Sequence, residues 1–89
     1  MKLNLRKARI KNLLIKMENI FVLCINNMHY ESSLEQRKIY QAFQNDFIKK
    51  NGLIRVVDET GEDYLYPAEF FVPITIPKEA ENIFRKNNN

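Results

Sequence analysis

A continuous apolar run near the start of the chain predicts the first strand. Residues 20–25 read Ile-Phe-Val-Leu-Cys-Ile and are rich in the β-branched and aromatic residues that strands favour. Because polar residues do not alternate within this run, we expect the strand to be covered on both faces. Asn26 and Asn27 end the run, and a polar, turn-prone segment continues to residue 36.

The pattern of residues 33–50 supports two interpretations. Its aromatic residues recur at the spacing of one helix face, and Ser33 with Gln36 resembles a capping box, so one interpretation is an α+β fold with a helix over 33–50. The other interpretation is a strand over 38–43, followed by a short helical turn over 45–50. The hairpin pattern that follows favours the strand, and the α+β fold is the alternative.

A β-hairpin is the clearest local pattern in the sequence. Two strand-like segments, 53–59 and 62–66, flank Thr60-Gly61, and glycine supplies the positive φ that a two-residue turn needs. Such a turn places Arg55 opposite Tyr66, where the guanidinium lies over the ring. In that register the better core face carries Ile54, Val56 and Leu65. The other face carries Arg55, Val57, Tyr64 and Tyr66.

Prolines organise the C-terminal third of the chain. Pro67 has no N–H for a strand ladder and ends the second hairpin strand, and residues 68–69 then make one tight turn. A further strand over 70–76 contains Pro73, which restricts this strand to a sheet edge or a bulge.

A short helix is predicted at the C-terminal end. Pro77 suits the first turn of a helix over Lys78–Lys86, and residues 87–89 are expected to fray. The predicted inner side of this helix carries Ala80, Ile83 and Phe84. The pattern thus predicts a helical extension over 1–18, a β domain over 19–76, and a helix with a frayed tail over 77–89.

Composition narrows the classes of protein. A chain of 89 residues that is 45% hydrophobic and 28% charged is typical of one globular domain. Its single cysteine, Cys24, and single histidine, His29, exclude an internal disulfide and the usual zinc ligand sets. The two glycines exclude glycine-rich nucleotide-binding loops. The apolar runs are too short for a membrane span or a secretory signal, so we expect a cytoplasmic protein.

Charge separates the N-terminal extension from the rest of the chain. Residues 1–16 carry six basic side chains and no acidic one, whereas the remaining residues carry eight basic and eleven acidic side chains, a net charge of −3. Leu3, Ile10, Leu14 and Met17 repeat at helical spacing, which predicts a basic amphipathic helix. Three interpretations of this segment are open: a helix that docks on the domain through Ile10, Leu13 and Leu14, a loose tail, or an element that binds an anionic partner. For nucleic acid, the candidate contacts are Arg6, Lys7, Arg9, Lys11 and Lys16.

Candidate catalytic and metal-binding residues are few. Four carboxylates, Asp58, Glu59, Glu62 and Asp63, are the oxygen ligands that Ca²⁺ prefers. A two-residue turn, however, places Asp58 with Asp63 on one face and Glu59 with Glu62 on the other, so we expect a solvated hairpin tip. Cys24 is expected to pack in the core as a small apolar residue. With no nucleophile and base set, the sequence predicts no enzyme, no metal and no cofactor.

The order of elements resembles a Src-homology-3 type β-barrel. Such barrels have one strand, a long loop (here 26–37), a second strand, a hairpin and a short last strand. The sharpest local match is Tyr-Pro-Ala-Glu-Phe-Phe-Val-Pro-Ile at 66–74, which resembles the segment where a single helical turn joins the last two strands of that fold. Residues 54–67 also resemble small bacterial proteins with this layout. The resemblance covers about residues 19–76 and implies a mainly β, barrel-like domain with helical ends.

The resemblance implies a non-catalytic interaction module. Barrels of this type bind proline-rich peptides in an aromatic groove. Under the resemblance, Tyr30 stands in the long loop, Pro67 matches the groove proline, and Phe70 replaces the groove tyrosine. The chain has no tryptophan and Phe70 has no hydroxyl, so we expect a different protein or peptide ligand. The predicted partner-binding residues are Tyr30, Arg55, Tyr64, Tyr66, Pro67 and Phe70. Nucleic-acid binding through the basic extension is the alternative function.

Overall fold

The computed structural model describes residues 17–86, which are mainly β. In chain order the elements are β1 (Glu18–Cys24), β2 (Ile39–Gln44), α1 (Asp46–Lys50), β3 (Leu53–Val57), β4 (Asp63–Pro67), a 3-10 turn (Ala68–Phe70), β5 (Phe71–Ile74) and α2 (Lys78–Lys86). The strands form one antiparallel sheet in the order β4-β3-β2-β1-β5. The predicted extension, as far as residue 16, and the predicted tail over 87–89 lie outside the described residues.

The strand interpretation of residues 38–43 is confirmed, and the single helix over 33–50 is wrong. The chain forms β2 and then the short helix α1, which begins where the Asn45 side chain accepts a hydrogen bond from the Ile48 N–H at 2.8 Å. Asp46 in the first turn and Lys49 and Lys50 in the last turn complement the helix dipole. The helix ends at Lys50 with Asn51 as its C-cap, and Gly52 follows with a φ of +72°, in the left-handed region.

The sheet is open and does not close into the predicted barrel. β4 and β5 are its two edge strands, and the 3-10 turn Ala68–Phe70 joins them. Closure requires hydrogen bonds between these edges, but each edge strand contains a proline, Pro67 or Pro73, which lacks an N–H. Pro73 lies in an edge strand, as the sequence predicted.

The predicted register of the hairpin is wrong by one residue. The Asp58 N–H donates to the Glu62 carbonyl at 3.0 Å, and the Gly61 N–H donates to the Asp58 carbonyl at 3.0 Å. These bonds close a three-residue loop, Glu59-Thr60-Gly61, in which Gly61 has a φ of +88°. Gly61 therefore serves as the bulge residue of a longer loop, where the prediction placed it in a two-residue turn.

This shift exchanges the two faces of the second hairpin strand. Tyr66 lies opposite Ile54 and Tyr64 opposite Val56, whereas Leu65 lies opposite Arg55. A one-residue slip turns every side chain of a strand to the other face. The tyrosines therefore share a face with the buried Ile54, and Leu65 does not.

The core lies on one side of the sheet, which we call the inner face. Leu34 from the loop between β1 and β2 and Phe70 from the 3-10 turn cover this face, so that Val22 and Val56 beneath them are fully buried. The buried cluster consists of Val22, Cys24, Leu34, Tyr40, Ala42, Ile54, Val56, Tyr66, Phe70 and Phe71. Cys24 packs in this core, as predicted.

The opposite, outer face is covered in part by α2. The Phe84 ring lies 5.0 Å from the Phe21 ring, and Phe21 is buried although it points away from the core. Phe21 and Val22, neighbours in β1, are thus both buried, which confirms that this strand is covered on both faces. The placement of Ile83 on the inner side of α2 is wrong, because its side chain is 60% exposed.

The described residues include no helix that is long and apolar enough to cross a membrane.

Candidate binding groove

A groove lies between the long loop, which spans residues 25–38 in the structure, and the tip of the β3–β4 hairpin. We call it the tyrosine groove, and its volume is about 340 Å³. Its lining residues are Tyr30, Ser33, Asp58, Thr60, Glu62, Asp63, Tyr64 and Tyr66. Tyrosine, hydroxyl-bearing and acidic residues thus line one groove together.

Tyrosine rings form the walls and floor of the groove. The Tyr66 ring meets the Tyr30 ring edge to face at 4.9 Å between centroids, and the Tyr64 ring at 5.1 Å. Tyr66 is fully buried and forms the floor, whereas Tyr64 is 56% exposed and Tyr30 is half-buried. Edge-to-face pairs of this kind stabilise a fixed arrangement of rings, so the exposed surface of Tyr64 rests on a rigid base.

Hydrogen bonds to Asp58 hold the floor in place. The Tyr66 hydroxyl donates to Asp58 Oδ2 at 2.6 Å. The Ser33 hydroxyl lies 2.8 Å from Tyr66 Oη and donates to it, because the single phenolic proton is directed at the carboxylate. The other carboxylate oxygen of Asp58 accepts the Thr60 N–H at 2.9 Å and the Thr60 hydroxyl at 2.6 Å. Both oxygens of this buried carboxylate are therefore satisfied.

The same bonds shift two pKa values in opposite directions. Burial acts to raise the pKa of Asp58, but the hydrogen bonds from Thr60 and Tyr66 outweigh burial and lower it. Burial and the hydrogen bond to Asp58 raise the pKa of Tyr66 to about 12. At neutral pH the pair is thus a neutral phenol that donates to a carboxylate, which is among the stronger kinds of protein hydrogen bond.

A second tyrosine ties the hairpin tip to the long loop. The Tyr40 hydroxyl donates to Glu59 Oε2 at 2.6 Å and accepts the Glu35 N–H at 2.8 Å. Lys38 Nζ lies 2.6 Å from the same Glu59 oxygen, and the Glu59 N–H donates to the Ser33 carbonyl at 3.0 Å. The hydrogen bonds from Lys38 and Tyr40 lower the pKa of Glu59, and burial together with Glu59 raises that of Tyr40.

The long loop is itself folded tightly against the sheet. Its base continues the β1–β2 pairing, because the Arg37 N–H donates to the Cys24 carbonyl at 2.7 Å. The Tyr30 carbonyl accepts the N–H groups of Ser33 and Leu34, at 3.0 and 2.9 Å, and the buried Leu34 anchors this turn in the core. The loop thus fixes the position of Tyr30 on one wall of the groove.

The structure brings four of the six predicted partner-binding residues together. Tyr30, Tyr64 and Tyr66 line the groove, and Phe70 lies behind them with its ring 5.9 Å from Tyr30. Of these, Tyr66 and Phe70 are buried core residues. Pro67 is half-buried at the end of β4.

Arg55 lies apart from these residues, on the outer face. Its guanidinium contacts Asp63 at 3.1 Å, so the predicted stacking of Arg55 on Tyr66 is wrong because of the register shift. The predicted nucleic-acid contacts, Arg6, Lys7, Arg9, Lys11 and Lys16, lie outside the described residues.

The four carboxylates of the hairpin tip do not pair as predicted. Asp58 turns inward to Tyr66, Glu59 binds Tyr40 and Lys38, and Asp63 lies on the outer face with Arg55. Within residues 17–86, no three His, Cys, Asp or Glu side chains are grouped so as to hold a metal ion.

Sequence reasoning missed Ser33 and Thr60 as parts of the groove. The helix interpretation of residues 33–50 makes Ser33 part of a capping box, whereas in the structure its hydroxyl bonds Tyr66. For Thr60 a local signal existed: in Asp58-Glu-Thr-Gly61 an Asp side chain accepts from the residue two positions on, and glycine follows at the bulge.

Comparisons of the chain with protein-family models, curated proteins and solved structures found no match.

Proposed function

We propose that the protein is a non-catalytic interaction module that binds an extended peptide segment of a partner protein in the tyrosine groove. The observation that carries this proposal is the Tyr64 side chain, which is 56% exposed although its ring packs against Tyr66. A rigid aromatic side chain that is held in place before binding loses little conformational entropy when a ligand covers it.

The arrangement of the strands supports a Src-homology-3 type of interaction domain. The order β4-β3-β2-β1-β5, the long loop between β1 and β2, and the 3-10 turn before β5 have counterparts in that fold. The tyrosine groove lies beside the long loop. Because Phe70 is buried and the chain has no tryptophan, we propose a ligand other than the family's usual proline-rich peptide.

Charge supports a basic peptide as the ligand. Three acidic residues, Asp58, Glu62 and Asp63, line the groove, and no basic residue among the described residues 17–86 does. The Asp63 carboxylate pairs with Arg55 and that of Asp58 with Tyr66 and Thr60, so Glu62 is the acidic residue assigned to the ligand. A lysine or arginine of the ligand then lies against the Tyr64 ring and near Glu62, which combines a cation–π contact with charge attraction. Beyond residue 16 the chain has a net charge of −3, which opposes binding of a phosphate backbone there.

Peptide selection on the full chain tests the proposal. A random peptide library is selected on the wild-type protein, and the affinity of the enriched peptides is measured by fluorescence polarisation. Tyr64→Ala is expected to weaken binding about tenfold or more, as loss of an aromatic hot spot does. Phe47→Ala is the matched control, because Phe47 is 65% exposed and lies on α1, outside the tyrosine groove.

Two outcomes would overturn the proposal. One is a selection that enriches no peptide, or only peptides that bind Tyr64→Ala as tightly as the wild type. The other is a mobility shift with nucleic acid that weakens steeply with salt and disappears when Arg6, Lys7 and Arg9 are replaced by Gln, which would favour the basic extension as the binding element.

A further inference from the structure

The outer face carries a second groove that α2 leaves open. We call it the outer groove; it has a volume of about 370 Å³ and is lined by Met17, Phe43, Asn45, Phe47, Ile48, Arg55, Asp63 and Leu65. Three of its apolar side chains are exposed: Met17 and Leu65 at 36% each, and Phe47 at 65%. Adjacent apolar side chains that remain exposed in this way mark a surface that another segment covers.

We propose that the chain's own N-terminal segment, residues 3–14, occupies the outer groove. Met17 lines the groove and is also the residue at which this segment joins the described chain. Its sulfur lies 3.0 Å from Asn45 Nδ2, which fixes the junction beside the groove. The segment is therefore tethered beside its binding site, so docking is intramolecular and does not carry the entropy cost of bringing two molecules together.

The apolar pattern of the segment matches a groove of this kind. At 100° per residue, Leu3, Ile10 and Leu14 fall on one side of a helix together with Leu13 and Met17. Leu5 falls on the opposite side, among the basic residues. An amphipathic helix seated in the groove buries the first set and leaves Arg9, Lys11 and Lys16 in water. Arg6 falls on the apolar side of this helix, between Leu13 and Met17.

Length and charge agree with this occupant. The path from β1 to β4, where Leu65 lies, crosses three strand spacings, about 14 Å. A helix over 3–14 is about 18 Å long, so it spans this distance. Residues 1–16 carry six positive charges, and the rest of the chain has a net charge of −3, so the two parts attract each other.

Paramagnetic broadening in the full chain tests the proposal. A nitroxide is attached through Asn12→Cys, which lies roughly 200° around a helix from Ile10 and so leaves the apolar side free. Cys24 is replaced by Ala to give a single thiol. We expect the amides of Phe43, Ile48 and Leu65 to broaden most, and those of β5, at the far edge of the sheet, to broaden least.

A pair of matched variants gives the control. Leu14→Asp is expected to abolish the broadening in the outer groove, whereas Leu5→Asp, the same substitution on the opposite side of the helix, is expected to leave it unchanged. Equal effects of the two variants, or uniform broadening across the sheet, would overturn the proposal. Broadening that persists when the spin label and the isotope label are on different molecules would also overturn it, because the occupant would then be a second copy.

Discussion

Replacing Tyr66 with Phe removes one oxygen atom from the floor of the tyrosine groove. In the wild type this hydroxyl donates to Asp58 Oδ2 at 2.6 Å and accepts from Ser33 at 2.8 Å. Asp58 is only 9% exposed, so water cannot easily replace the lost donor. The remaining bonds to Asp58, both from Thr60, reach its other oxygen. The variant therefore leaves a buried carboxylate oxygen without its partner.

The magnitude follows from the charge on the acceptor. A hydrogen bond to a charged group contributes about 1.5–3 kcal/mol to the free energy of unfolding. A domain of this size has a total of roughly 4–13 kcal/mol, so the loss is a large fraction of it. A decrease of about 2 kcal/mol lowers the melting temperature by roughly 8–16 °C in a domain of this length.

Equilibrium unfolding in urea measures this loss. Tyr66→Phe is expected to lower the transition midpoint without changing its slope, because the surface exposed on unfolding is unchanged. Tyr64→Phe is the matched control, since Tyr64 lies two residues away on β4 and is 56% exposed. The reasoning is refuted if the two variants differ in free energy of unfolding by less than about 0.5 kcal/mol.

Two further predictions concern the same hairpin. Because the pKa of Tyr66 is raised to about 12 from an ordinary 10.0, the stability that it contributes is complete below pH 10 and is lost as the pH rises toward 12. Thermal melts from pH 8 to 12 should show a smaller alkaline loss for Tyr66→Phe than for the wild type, and equal losses would contradict this. Gly61→Ala should lower the free energy of unfolding, measured in urea, by about 1–2 kcal/mol. The cause is backbone strain at a φ of +88°, because no atom lies within 4 Å of the added Cβ. Gly61→Asn should lower the free energy of unfolding by less, because Asn adopts the left-handed conformation more readily than Ala. Equal losses for the two variants would point to a steric cause.

Much of the element order could be predicted from local sequence. Pro77 and the following residues gave α2 with its observed bounds, and Pro73 placed β5 at an edge. Each proline acts through its fixed φ and its missing N–H, which affect only the few residues next to it in the chain. The same holds for β1, because its apolar run predicts a strand without any information about the strands beside it.

The register and the groove could not be predicted in the same way. Gly61 alone fits a two-residue turn and a three-residue loop equally well, and Asp58 is the only local signal for the longer loop. The choice nevertheless decides which face Arg55 and the tyrosines share. The bonds of Tyr66 to Ser33 and of Tyr40 to Glu59 join residues 33 and 19 positions apart. Such contacts depend on how the long loop folds over the sheet, and that loop has no periodic pattern.

Chemical-shift mapping of a bound peptide tests the central claim most directly. The full chain, labelled with ¹⁵N, is titrated with a basic peptide enriched in the selection, and the amide shifts are followed residue by residue. We predict that the largest shifts fall on Tyr30, Ser33, Thr60, Glu62 and Tyr64, and that they are lost in Tyr64→Ala. Shifts concentrated in the outer groove or in residues 1–16, with the tyrosine groove unchanged, would contradict the account.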